Sequence, residues 1–312
     1  MKVASCVVTY RRPEGLERTL KGLARLRFEK GERPDVHIVV VDNDPRRSAS
    51  AICEKLAPEI GYPLEYHAEP RRGISQARNR AVACAAALGA DFTAFVDDDE
   101  VPEPLWLDEL LFVQRKYAAD VVGGPVLPYF YEPVPDWIVK GKFFEQPFER
   151  PRYPTGHLLK LTAAGNVLIR TRIFEEMGEY FDEELGLTGG EDTLFFSRAY
   201  EAGYKLVWAD EAVAHEWTPA SRANAHWLLR RAYRLGNGRS VYENQANAGS
   251  AARAVRIAKG CGRLGQGLVL LPLSIPLSLI VGRQSIMKAM ILVFRGAGML
   301  AGVLRIRYEE YR

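Results

Sequence analysis

Residues Phe92-Thr93-Ala94-Phe95-Val96 form an uncharged run, and Asp97-Asp98-Asp99-Glu100 follow it without a spacer. A short apolar run bounded this abruptly is expected to be a strand buried on both faces. The four carboxylates then mark its carboxyl end. In open α/β sheets, ligands bind along that edge. Crowded carboxylates repel one another, so such a cluster costs stability unless cations or hydrogen-bond donors offset it. The hard-oxygen answer is a divalent cation, Mg²⁺ or Mn²⁺, shared with phosphate oxygens. A solvated acidic turn is the competing reading.

The same alternation recurs along the chain. Strands are expected near 3–9, 37–41, 64–67, 92–96, 121–124, 164–170 and 205–208. Helices are expected from Pro13, over 48–56 and 74–88, from Pro102 or Pro104 to about Tyr117, over 193–202 and over 223–235. Strands alternating with helices imply βαβ units and a mostly parallel sheet. Thr9, Tyr10, Asp42 and the acidic run then share one rim although they lie far apart in sequence. Residues 125–154 are rich in proline and aromatics, as in a binding loop or lid.

The cysteines Cys6, Cys53, Cys84 and Cys261 contain no CxxC pair, which suits a reducing compartment and argues against a zinc ribbon. No secretory signal is expected at the start, where Arg11-Arg12-Pro13 interrupts the first apolar run. The net charge of +3 conceals a split. Residues 244–308 contain nine Lys or Arg and no acid; residues 244–312 carry about +8, leaving about −5 for the body. Within this tail, 264–282 has no charge and contains Pro272 and Pro276. Interfacial or re-entrant helices on an anionic leaflet are the preferred expectation; a single span and ordinary helix packing are the alternatives.

Five ordered pieces resemble family 2 glycosyltransferases: Val8-Thr9-Tyr10-Arg11-Arg12, Val41-Asp42-Asn43, Gln76-Ala77-Arg78-Asn79, Asp97-Asp98-Asp99 and Glu191-Asp192. The resemblance covers roughly residues 1–240. Its Phe-Val-Asp-Asp-Asp-Glu-x-Pro form is similar to bacterial exopolysaccharide glucosyltransferases of the succinoglycan type. It implies the GT-A fold, a Rossmann-like, mostly parallel mixed sheet flanked by helices, and transfer with inversion. The implied organisation is a catalytic domain over 1–243 and a helical, membrane-associating tail over 244–312.

The implied roles follow residue by residue. Asp42 accepts the nucleobase N–H, or simply ends its strand as a turn-forming Asp. Thr9, Tyr10 and Arg12 line the base and ribose side, with Arg12 equally readable as a solvated charge. Arg78 supports the nucleotide or pairs structurally with Asp97 or Asp99, and Arg71 contacts diphosphate or base. Asp97 and Asp98 serve the donor side, and Asp99 holds Mn²⁺ or Mg²⁺. His215 is a metal ligand or a hydrogen-bonded structural histidine. Asp192 is the catalytic base, with Glu191 holding acceptor hydroxyls; a first-turn helix pair is the plainer reading. Arg230 and Arg234, at i and i+4, clamp the leaving diphosphate or face a membrane surface. Trp227 stacks on an acceptor sugar or packs in a core.

The expected partners are a nucleotide-sugar donor of the UDP-hexose kind, a lipid-linked or glycan acceptor and a membrane surface. No nucleic acid is expected. The expected location is the cytoplasmic face of the inner membrane, with peripheral or monotopic attachment. Two other classes stay open: a nucleotidyltransferase using the same carboxylates, and a non-catalytic nucleotide-sugar-binding membrane module.

Overall fold

The computed structural model describes residues 1–145, 153–246, 249–306 and 308–309. The chain divides into two compact units. The first comprises 1–129, 145–186 and 191–217, and the second comprises 130–144, 187–190 and 218–312.

The first unit is built on β1 (Lys2–Thr9), β2 (Asp35–Asp42), β3 (Leu64–Ala68), β4 (Phe92–Val96), β6 (Val121–Gly123), β8 (Leu158–Leu159), β9 (Asn166–Arg170) and β10 (Leu206–Trp208). They form one eight-stranded sheet in the order β3-β2-β1-β4-β9-β6-β10-β8. The first four are mutually parallel, whereas β9 runs antiparallel to both β4 and β6. Helices α1 (Pro13–Leu23), α2 (Ser50–Ile60), α3 (Ile74–Ala87), α4 (Trp106–Tyr117), α6 (Ile173–Met177) and α7 (Glu191–Glu201) belong to the same unit. Alternate residues of β1 serve two cores. Val3 and Val7 pack with Leu16, Leu20 and Leu56, while Ala4, Cys6 and Val8 pack with Ala77, Ala81 and Phe195. Burial on both faces is why the strand sequences read as continuous apolar runs.

A second, three-stranded sheet is ordered β5 (Glu100–Pro102), β11 (Ala214–Trp217), β7 (Val126–Tyr129). The sequence did not announce β5. Pro102 was expected to open a helix, but it ends this edge strand, where proline costs no ladder bond, and α4 starts at Trp106. Pro58 likewise lies inside α2, which continues to Ile60. The expected irregular stretch 125–154 contains β7 and α5 (Asp136–Gly141); residues 146–152 lie outside the described residues.

The second unit holds α5, α8 (Ala225–Ala246), α9 (Ser250–Val281) and α10 (Gln284–Val303). Its apolar core includes Ile138, Phe144, Leu228 and Met287. The expected end of α8 near Leu235 needs correction, since the helix runs to Ala246. Gly236 lies inside α8 because a helix backbone approaches there: a Cβ at Gly236 would stand 2.1 Å from the Arg295 carbonyl oxygen. A Cβ at Gly298 or Gly302 of α10 would likewise press on the carbonyl oxygens of Tyr233 and Asn237. α8 therefore packs with the tail, and the compact unit starts again at Thr218. α9 also runs unbroken through Pro272 and Pro276.

Candidate active site

The parallel register brings three strand ends to one edge. Thr9 lies opposite Asp42, and Cys6 of β1 lies opposite Phe95 of β4. The acidic run therefore emerges beside the residues that follow β1. Thr9 Oγ1 donates to Asp98 Oδ2 at 2.8 Å. Arg12 Nη1 donates to Asp98 Oδ1 at 3.0 Å and to Asp99 Oδ2 at 2.9 Å. Asp98 is buried, and burial pushes its carboxyl up to about 7 against the pull of Arg12.

From the other side comes Arg78, on α3. Its Nη2 donates to Asp97 Oδ1 at 3.3 Å, and its Nη1 is bonded to Glu191 Oε1. Asp97 keeps a 39% exposed side chain. Desolvation raises its pKa, Arg78 opposes this, and the charges of Asp99 and Asp192 add to the rise. Glu191 is buried, with Oε2 lacking a hydrogen-bond partner. Burial raises its carboxyl to about 7, Arg78 counteracts, and Asp192 adds repulsion. Asp192 Oδ1 accepts from the Thr193 backbone N–H at 2.6 Å, and Oδ2 from the Ala164 N–H at 3.4 Å. Gly189 and Gly190 just before it have φ of 76° and 96°, a turn that side chains other than glycine rarely adopt.

Glu100, the fourth carboxylate of the acidic run, had no role assigned from the sequence, and Glu216 and Gly165 were not singled out. Glu100 is buried, and its carboxyl is pushed well up by desolvation and by Asp97, Asp99 and Glu216. Glu216 of β11 stands opposite Glu100 in the three-stranded sheet. Gly165 faces the same carboxylates: a Cβ there would lie 2.6 Å from Glu100 Oε1 and 3.1 Å from Asp97 Oδ2. No local spacing rule marks Gly165, since its constraint comes from residues more than sixty positions earlier.

Several predicted residues have other partners. Asp42 is fully buried and holds a turn: Oδ1 accepts from Asp44 N–H at 2.9 Å, and Oδ2 from Ala49 N–H at 2.8 Å and Tyr66 Oη at 3.1 Å. That favours the turn-forming reading over nucleobase recognition. His215 lies opposite Val101, two positions from Trp217, whose N–H donates to the Asp99 carbonyl. Its Nε2 sits 2.9 Å from Glu103 Oε1, the partner expected of a hydrogen-bonded structural histidine. The Tyr10 ring receives the guanidinium groups of Arg11 and Arg72 at 4.9 and 5.3 Å. Arg71 is engaged by Glu69 at 3.0 Å and Glu183 at 3.1 Å. Within the second unit, Trp227 stacks on Phe144 at 5.3 Å under the Arg231 guanidinium, as a packing residue. Arg230 donates to Tyr308 Oη at 2.8 Å, and Arg234 is half-buried on the same helix.

Among the described residues, no three His, Cys, Asp or Glu side chains form a group that could hold a metal ion by themselves. The donor chemistry nevertheless fits a divalent cation. Asp97 and Asp99 offer hard oxygens on a rim where carboxylates repel one another. Mg²⁺ is commonly held by one or two carboxylates plus substrate phosphates, not by a complete protein cage.

The chain is 37% identical over 239 residues to the succinoglycan biosynthesis protein ExoM of Rhizobium meliloti, covering 76% of this chain and 74% of that one. It is 26% identical over 264 residues to the glucosyl-dolichyl phosphate glucuronosyltransferase of Haloferax volcanii, covering 78% of each. The crystal structure of S. aureus TarS residues 1–349 in complex with UDP-GlcNAc superposes with a TM-score of 0.55 at 18% identity, over 94% of this chain and 90% of that one. That likeness establishes a GT-A-like fold. The family model "Glycosyl transferase family 2" matches residues 5–178. The chain belongs to glycosyl transferase family 2 and is a glycosyltransferase.

Proposed function

We propose that this enzyme transfers a hexose from a UDP-sugar, with inversion, to a lipid-linked or growing polysaccharide acceptor during exopolysaccharide synthesis at the cytoplasmic face of the cell membrane. The observation that carries this reading is the Arg78 bridge, which ties the strand-end Asp97 to Glu191 beside Asp192. The UDP-GlcNAc complex of TarS supports a UDP-sugar donor, and the likeness to ExoM supports a role in exopolysaccharide synthesis.

In this reading Asp99 would hold Mn²⁺ or Mg²⁺, and Asp97 serves the donor side. When bound, that cation supplies electrostatic stabilisation of the charge developing on the departing nucleoside diphosphate. Asp192 takes the proton from the acceptor hydroxyl as the oxygen attacks the anomeric carbon from the face opposite the leaving group. The backbone N–H groups of Thr193 and Ala164 fix the orientation of that carboxylate. Arg12 orients Asp98 and Asp99, and Arg78 orients Asp97 and Glu191.

Incubation with a panel of UDP-hexoses, Mn²⁺ and a membrane-extracted acceptor is expected to release UDP. Release of pyrophosphate instead would identify a nucleotidyltransferase, and UDP binding without turnover a non-catalytic module. Asp192→Asn is expected to abolish release; an unchanged rate removes Asp192 as the base.

A further inference from the structure

In the second unit, α9 has a single narrow seam covered. Its buried positions are Arg256, Gly260, Gly267 and Ser274, spaced by four and seven residues and therefore on one line along the helix. That line faces α10. A Cβ at Gly260 would meet Leu300, one at Gly267 would meet the Val293 backbone, and Ser285 Oγ donates to the Ser274 carbonyl at 3.2 Å. Away from the seam the C-terminal half is open and apolar. Leu268, Val269, Leu273 and Ile275 are exposed, and Leu279 and Ile280 are 89% and 85% exposed. Exposed apolar surface of this extent marks an interaction site.

The charge around it identifies the occupant. Arg253 and Lys259 are exposed before the apolar stretch, and Arg283 and Lys288 after it. No Asp or Glu occurs between residues 244 and 308. Cations at both ends of an apolar helix face fit an anionic headgroup layer, into which Lys and Arg extend while the apolar side chains sink below. A second copy of the chain would instead bring two basic surfaces together.

We propose that α9 lies in the plane of an anionic lipid bilayer, with the C-terminal half of its outer face sunk in one leaflet and neither α9 nor α10 crossing. Both helices are long and apolar enough to cross by length and composition, yet only 11% of the apolar eighteen-residue stretch of α9 is buried, against 39% in α10. The difference is α8, which packs along α10. Gly298 and Gly302 meet the carbonyls of Tyr233 and Asn237, and Met287 shares a core with Leu228. Over that length α8 carries Arg230, Arg231, Arg234 and Arg239. A crossing α10 would draw these guanidinium groups into hydrocarbon at high cost. It would also carry Arg283 and Lys288 to the far side, against the usual retention of cations on the cytoplasmic side. Lying flat, α9 shields α10 from lipid and leaves α8 on the aqueous side.

The proposal does not depend on the identity of donor or acceptor. Its test uses the full chain with sealed vesicles containing phosphatidylglycerol or phosphatidylcholine alone. The expected result is co-flotation with the anionic vesicles, weakened by salt. Leu273→Glu and Ile280→Glu are each expected to abolish flotation while keeping the thermal midpoint and circular dichroism of the parent. In a Cys261→Ser background, Arg283→Cys on bound vesicles is expected to react with a membrane-impermeant maleimide added outside. Failure of the intact chain to float, or flotation of both folded variants, overturns the proposal. So does protection of Arg283→Cys until detergent is added, which indicates a crossing hairpin. Loss of a dimer in Leu273→Glu without any vesicle binding by the parent assigns the face to a second copy instead.

Discussion

Arg78 is salt-bridged to Glu191, a partner 113 positions away in sequence, and both side chains are buried. The same guanidinium reaches Asp97, so one cation on α3 links the end of β4 to the start of α7. Arg78→Ala would leave Glu191 buried beside Asp97 and Asp192 with that cation gone. Breaking a buried pair from one side typically costs about 3–5 kcal/mol. The expected outcome is a lower denaturant midpoint together with loss of UDP release. Arg78→Lys keeps the charge but loses the fork that spans two carboxylates, so it should restore more stability than turnover. Equal recovery of both would show that Arg78 acts only as a structural tie.

Glu191 should make an unusual contribution to the pH dependence of stability. Its carboxyl is raised to about 7 in the folded protein, mainly by burial. The folded state therefore binds the proton more tightly than the unfolded state. The group is most favourable to folding at or below its ordinary carboxylate range, and that contribution is lost as pH rises towards 7. Thermal midpoints in EDTA from pH 4.5 to 8 should fall less steeply on the alkaline side for Glu191→Gln than for the parent. Parallel curves would mean that Glu191 is not held protonated.

Gly165 is expected to tolerate no side chain. A Cβ would press on Glu100 Oε1 at 2.6 Å and Asp97 Oδ2 at 3.1 Å. Both neighbours are engaged, since Glu100 Oε2 accepts from the Asp97 N–H at 3.3 Å and Asp97 pairs with Arg78. Overpacking of this kind costs about 1–3 kcal/mol. Gly165→Ala should therefore lose stability and also weaken donor binding, read as a raised KM for the UDP-sugar. Wild-type KM in a stable Gly165→Ala protein would separate Gly165 from the site.

How far the sequence carried depends on the range of the forces involved. The strand-helix alternation and the acidic run are local patterns, and β1 to β4 with the strand-end carboxylates were legible from them. Glu191 and Asp192 were legible through an ordered set of motifs. β5 was not, because a three-residue edge strand ending in Pro102 has no periodicity and exists only through pairing with β11. Gly165 was silent because its constraint is a carboxylate from another strand end. The continuation of α8 was misread for a related reason: the close approach of α10, remote in sequence, decides it.

Asp42 offers a clean distinction between two roles. Its carboxylate closes the turn after β2 through Asp44, Ala49 and Tyr66. Removing an acceptor from buried donors costs about 1–3 kcal/mol. Asp42→Asn can present only one acceptor oxygen, so at least one of these donors loses its partner. A stability loss of that order with an unchanged KM for UDP-sugar is expected. A raised KM for uridine donors with normal stability would return Asp42 to nucleobase recognition.

The metal set can be separated by two substitutions. Asp99 lies on the catalytic rim and shares Arg12 with Asp98, whereas His215 is engaged by Glu103. EDTA is expected to stop UDP release, with recovery on adding Mn²⁺ or Mg²⁺. Asp99→Asn should raise the cation concentration needed for half-maximal recovery, because an amide is a weaker ligand than a carboxylate for a hard cation. His215→Gln should leave that concentration unchanged and shift only the stability of the three-stranded sheet. A cation requirement altered by His215→Gln and untouched by Asp99→Asn would reverse the assignment.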